Sequence, residues 1–133
     1  MTHHIAFTIV RDLGHVVIKD EAHQVVRYEH VPLGEVSGEL AAWLVCKAAI
    51  RLADQRWPNV VLYSDLAVIE QLVNLEMRAE DRPRYETHNG RPKGVDGLLG
   101  QHFDAAAMLW EKFRGQWTAH RVTQERILQA VER

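Results

Sequence analysis

The first third of the chain alternates between apolar and polar positions in short runs. HIAFTIV, over residues 4–10, is rich in β-branched and aromatic residues and predicts a strand. RDLG follows as a turn, HVVIKD as a second strand, DEAH as a tight connection and QVVRYEHV as a third strand. In the third strand Val25, Arg27 and Glu29 fall on one face, and Val26, Tyr28 and His30 on the other. Two successive hairpins make an antiparallel meander. PLGEVSG breaks the pattern and offers Ser37 as an N-cap. ELAAWLVCKAAIRLADQ then reads as a long helix, apolar around most of its circumference and charged on one narrow side. Trp57-Pro58 ends that unit. VVLYS is a continuous apolar run and predicts a strand buried on both faces.

From Asp65 the period becomes helical again, over DLAVIEQLVNLEMR. Residues 79–94, AEDRPRYETHNGRPKG, carry Pro and Gly breakers and mixed charge and read as a loop or protrusion. VDGLLGQHFDAAAMLWEKF is a helix weakened by glycines, RGQWTAHRV a last strand, and TQERILQAVER a terminal helix with Thr123 as its N-cap. The order β-β-β-α-β-α-α-β-α predicts one α/β domain over residues 1–133. Its mixed five-stranded sheet has three antiparallel strands, then parallel strands, with helices on both faces. Ligands in such sheets bind beyond the carboxyl ends of the parallel strands, and Asp65 stands at such an end. Asp65 also suits the plainer role of N-cap for the helix that follows it.

Charge and composition limit the function classes. A formal net charge of −2 gives no global attraction to nucleic acid, and it leaves room for a local basic face. A single cysteine, Cys46, permits no internal disulfide and points to a reducing, cytoplasmic setting. No apolar run approaches the ~18–20 residues of a membrane helix, and MTHHIAFTIVRD lacks the features of a signal peptide. No membrane partner is expected.

Several segments, in order, resemble the type 1 ribonuclease H family. GELAAWLVCKAAIRLA is similar to the family's first helix, which opens with a catalytic glutamate, matched here by Glu39. VVLYSD is similar to its fourth strand, which ends in a Thr/Ser-Asp pair, matched by Asp65. GRPKGVDGLLGQHFDAA resembles the segment after its basic protrusion, and QWTAHR its last strand and the histidine-bearing loop beyond, with His120 as that histidine. The resemblance implies a ribonuclease H-like fold and metal-dependent phosphodiester hydrolysis on an RNA/DNA hybrid or related nucleic acid. It implies Mg2+ or Mn2+ held by Glu39 and Asp65, and His120 assisting proton transfer or product release. Two of the family's four carboxylates are unmatched. In FTIVRDLG, Ile9 takes the place of the first aspartate, with Asp12 three residues on as a substitute. In the terminal helix Leu128 stands where the fourth carboxylate belongs.

The remaining candidates are weighed on their own residues. Arg82, Arg84, Arg91 and Lys93 in the protrusion could track phosphates, although Glu80, Asp81 and Glu86 dilute them into an ordinary solvated loop. Trp117, beside the site, is the tryptophan best placed to stack on a base; the plainer role of all four tryptophans is core packing. His120 could equally be an exposed loop histidine, and Glu39 a first-turn acid favoured by the helix dipole. Cys46 reads as a small buried hydrophobe. Two other classes compete with the enzyme. One is a catalytically inactive ribonuclease H-like module kept for nucleic-acid binding or assembly, motivated by Ile9 and Leu128. The other is a homodimer joined through an apolar patch on the Gly-Leu-Leu-Gly helix.

Overall fold

The strands form where the sequence alternates, and their pairing sets the fold. The computed structural model describes residues 1–54, 56–72, 87–88, 91–92, 97–113 and 117–131. β1 (Thr2–Val10), β2 (Leu13–Lys19) and β3 (Val25–Pro32) make the antiparallel meander. β4 (Asn59–Ser64) lies parallel to β1, and β7 (Trp117–Arg121) parallel to β4, so the sheet runs β3-β2-β1-β4-β7. The helices are α1 (Gly38–Leu52), α2, described over residues 68–72, α3 (Gly97–Lys112) and α4 (Gln124–Val131). Within the stretch read as a loop, β5 (Thr87–His88) and β6 (Arg91–Pro92) pair as a separate two-stranded ribbon.

Side-chain parity divides the sheet into two unequal faces. Ile5 and Phe7 of β1, Val16 and Ile18 of β2, and Val60 and Leu62 of β4 are all buried in one core with α1, on which α3 packs in turn. α1 adds Trp43, Val45, Cys46, Ala49 and Ile50 to this core. The Trp43 ring meets Phe103 of α3 edge-on, with centroids 5.1 Å apart. Beside them Lys47 Nζ donates to His102 Nδ1 at 2.9 Å, and burial followed by the Lys47 charge holds His102 below the usual imidazole range. Burial pushes the Cys46 thiol far up, so it packs as a neutral hydrophobe.

Among the described residues the opposite face is covered by α4 alone, eight residues long. β4 is therefore not buried on both faces as its apolar run predicts. Val60, Leu62 and Ser64 are buried while Val61 and Tyr63 are half-exposed, because so short a helix cannot cover the strand. Two helix ends also differ from the sequence reading. Ser37 occupies the N-cap position of α1 with extended backbone but makes no capping hydrogen bond through its side chain. α1 stops at Leu52, and Asp54 turns away to an exposed ion pair with Arg56 at 2.7 Å. Thr123 does cap α4, its Oγ1 accepting from the Arg126 N–H at 3.4 Å. On α3, Leu98 and Met108 are 56% and 72% exposed at separate positions, and isolated exposed apolar side chains are ordinary on a monomer. Among the described residues no helix is long and apolar enough to cross a membrane.

At Gly14 α1 packs closely on the sheet. A Cβ there would stand 2.4 Å from Val45 Cγ2 and 3.1 Å from Val31 Cβ. Gly14→Ala is therefore expected to cost about 1–3 kcal/mol through overpacking, read as a lower urea midpoint at unchanged slope.

Candidate active site

Ser64, the last residue of β4, ties the ends of the two central strands together. It is fully buried, its Oγ donates to the Phe7 carbonyl at 2.8 Å, and the same oxygen accepts from the Leu66 N–H at 3.1 Å. That pair of bonds shapes the turn leaving β4 and presents Asp65, half-exposed, at its rim. The Val122 N–H donates to the Ser64 carbonyl at 2.9 Å and brings the start of α4 to the same place. Three chain segments thus converge at the carboxyl end of the parallel strands.

Two residues not anticipated from the sequence complete the arrangement. Thr8 of β1 is fully buried, and its Oγ1 donates to Asp65 Oδ1 at 2.6 Å. That length is in the range of charge-assisted O–H···O bonds. Gln124, opening α4, donates through Nε2 to Thr8 Oγ1 at 3.1 Å and to the Ile9 carbonyl at 2.7 Å. Amide, hydroxyl and carboxylate form a relay from α4 through β1 to β4. Arg121 closes the outer side, donating through Nε to the Asp65 carbonyl oxygen at 3.2 Å and pairing through Nη1 with Glu70 at 2.7 Å.

The pairing of β1 with β4 sets which β1 residue meets Asp65. Phe7 pairs with Ser64, so the next residue on each strand, Thr8 and Asp65, share the α4 face. The sequence alignment puts Ile9 in the place of the missing acid, but Ile9 packs partly buried against the core. Position 8 is the one that faces Asp65. The only signal in the sequence was a polar residue inside an apolar strand, and nothing local says what it meets.

The other predicted residues are spread out. Glu39 is exposed in the first turn of α1. Asp12 is exposed in the β1–β2 turn, four residues along the chain from Thr8, and its carbonyl accepts from the Leu33 N–H at 3.0 Å. At ~3.3 Å per strand residue, that turn stands roughly 7–10 Å beyond the level of Thr8. His120 lies within β7, not in a loop beyond it, and is exposed; it pairs with Tyr63 across the strands, with ring centroids 6.0 Å apart. Trp117 is a correction: it is 3% exposed, stacked on Phe113 at 4.3 Å and edge-on to Trp110 at 6.3 Å. It faces the α3 side because β7 pairs it with buried Val60, and from there it reaches no base. Leu128 is half-buried in α4. Arg91 stands in β6; Arg82, Arg84 and Lys93 lie outside the described residues.

The groups around Asp65 are a poor donor set for a divalent ion. Magnesium takes hard oxygen ligands and is usually held by more than one carboxylate or by carboxylate plus substrate phosphate. Among the described residues no three of His, Cys, Asp and Glu lie close enough to share one ion. Beside Asp65 stand a hydroxyl and an amide, both already engaged. The described residues do not fit a carboxylate-built two-metal centre.

No protein-family model matches the sequence, and no curated protein matches it. Solved structures do match in shape. Ribonuclease H1 from the halophilic archaeon Halobacterium salinarum NRC-1 superposes with a TM-score of 0.65 at 15% identity, covering 99% of this chain and 93% of that one. LC11 ribonuclease H1 in complex with RNA/DNA hybrid gives 0.60 at 14% identity, over 98% and 91%. The foamy viral protease-reverse transcriptase in complex with dsDNA gives 0.62 at 11% identity, over 92% and 81%. The sheet order and these likenesses identify the fold as ribonuclease H-like.

Proposed function

We propose that this chain, built on a ribonuclease H-like fold, binds RNA/DNA hybrid or a related duplex and has given up strand cleavage. The observation that carries the reading is the Thr8–Asp65 hydrogen bond, backed by Gln124. Hydrolysis by two divalent ions needs carboxylates converging from several segments. Here the segment facing Asp65 supplies a neutral hydroxyl, and the α4 side chain that reaches that hydroxyl is an amide, Gln124, while Leu128 stands where the resemblance calls for an acid. Binding needs no such centre. Arg82, Arg84, Arg91 and Lys93 would follow the phosphates, and an A-form or hybrid duplex would be read through its shape and 2′-hydroxyls.

One feature favours the competing reading of metal-dependent hydrolysis. Asp65 keeps its second carboxylate oxygen free among the described residues, and Glu39 is exposed at the start of α1. In that reading Glu39 and Asp65 would hold Mg2+ or Mn2+, Asp12 would supply a further acid and His120 would move protons.

A single experiment separates the two. An end-labelled RNA/DNA hybrid is titrated with the protein in chelator and then incubated with Mg2+ and with Mn2+, beside Asp65→Asn. Binding is expected without metal, to weaken roughly 10-fold or more from 50 to 200 mM salt as two or more phosphate contacts require, and to be unchanged in Asp65→Asn. No cleavage is expected in either metal. Cleavage abolished by Asp65→Asn would establish the enzyme, and absence of salt-sensitive binding would remove nucleic acid from the account.

A further inference from the structure

Beside the Thr8–Asp65 pair, the half-covered sheet face and α4 enclose a pocket of about 270 Å³. That is just below the ~300–1,000 Å³ range of drug-sized sites, so it suits a small molecule and not a duplex. Its floor is apolar: Ala6 and Val17 from the sheet, Val122 and Ile127 from the start of α4. Its walls are basic. His4, Lys19, His23 and Arg126 line it, and among the described lining residues there is no carboxylate. Tyr63 supplies a phenol, hydrogen-bonded to His4 Nδ1 at 3.1 Å.

Three features make this more than a chance grouping of cations. First, Lys19 on β2 and the Arg126 guanidinium on α4 stand on different elements, and among the described residues neither side chain has an ion-pair partner. Asp20, next to Lys19, is engaged elsewhere: its Oδ1 accepts from the N–H groups of Ala22 and Gln24. Second, His23 reaches the rim from the tight turn between β2 and β3, where its N–H donates to the Asp20 carbonyl at 3.0 Å and its backbone is left-handed, φ +60°. Its ring stacks against His4, centroids 5.1 Å apart and planes inclined by 26°. Third, burial, followed by the charges of His23, His3 and Lys19, holds His4 below the usual imidazole range. The wall therefore combines a flat ring, suited to stacking, with two permanent cations suited to an anion.

We infer that this pocket binds a small ligand with a planar ring and one anionic arm, of the nucleoside monophosphate class. The ring would lie on the apolar floor against His4 and Tyr63. The phosphate would take Arg126 in a forked hydrogen bond, with Lys19 as a second charge. This site does not use Asp65, and the inference stands apart from the duplex-binding reading.

The test is a titration of the full chain with adenosine 5′-monophosphate, followed by backbone NMR shifts and calorimetry. Adenosine and inorganic phosphate serve as single-feature probes, and Lys19→Gln and Arg126→Gln as variants. Neither position makes an ion pair among the described residues, so the variants are expected to melt with the parent. The monophosphate is expected to bind with a dissociation constant below ~1 mM and to shift Ala6, Val17 and Ile127. Each variant is expected to weaken binding about 10-fold, equivalent to ~1.4 kcal/mol, and each probe alone to bind at least ~10-fold more weakly than the monophosphate. Monophosphate binding that survives both variants unchanged would overturn the assignment. So would the absence of shifts at the pocket at about 10 mM ligand in protein that melts normally.

Discussion

Thr8→Asp is expected to destabilise the protein by about 3–5 kcal/mol at pH 8, and by clearly less at pH 4.5. Thr8 is fully buried, and its hydroxyl is the donor that Asp65 accepts at 2.6 Å. An aspartate there replaces a donor with a second negative charge in the same place. Two carboxylates so close cannot both ionise cheaply, so one is driven well above the ordinary carboxylate range. The folded variant then holds a proton that the unfolded chain releases. Its stability is fully present below the unfolded carboxylate pKa and is lost as pH rises through the raised folded value. Urea unfolding at several pH values would read the slope directly. Thr8→Val is the control: it keeps the shape, removes the hydroxyl and leaves Gln124 without one of its acceptors, for about 1–3 kcal/mol and no comparable pH slope. If Thr8→Asp were no more pH-sensitive than the parent, residue 8 would not face Asp65, and the carboxylate would be free to join an acidic cluster.

The second large effect concerns the core. Trp43→Ala is expected to cost about 3–5 kcal/mol, a large share of the ~5–15 kcal/mol that holds a domain folded. In a chain of this size that lowers the melting temperature by roughly 10–20 °C. Trp43 is fully buried in the middle of α1 and carries the contact to Phe103 that joins α1 to α3. Trp43→Phe separates packing from polarity. The indole Nε1 is buried without a hydrogen-bond partner, and leaving such a donor unsatisfied costs about 1–3 kcal/mol. Phenylalanine removes that liability while keeping much of the ring, so its cost is expected to be well below that of alanine. Calorimetric melts of the two variants check both statements. Equal losses would mean that the orphaned N–H is satisfied in solution.

The parts of this protein legible from its sequence are those governed by neighbours along the chain. Strand alternation placed β1, β2 and β3 within a few residues of their observed bounds, because successive side chains must point to opposite faces. The apolar run VVLYS followed at once by a helical period placed Asp65 at the carboxyl end of a parallel strand, which is where it stands. Thr123 was legible as a cap for the same local reason. What Asp65 meets there was not legible. Thr8 is 57 positions away from it, Gln124 lies 116 positions from Thr8, and both contacts exist only because β1 and β4 pair with Phe7 opposite Ser64. A shift of one residue in that register would have turned Ile9 toward the carboxylate, as the alignment suggested, since strand side chains alternate. Trp117 was misjudged on the same ground: its face follows from pairing with Val60, not from its neighbours. The basic pocket is the third case, drawn from three strands, two connecting segments and a helix whose residues carry no shared motif. Chain order alone thus determined the elements and the address of the site. The register between distant strands, and the shortness of the helix over one face, decided its chemistry, because hydrogen bonding and burial depend on which side chains meet in space.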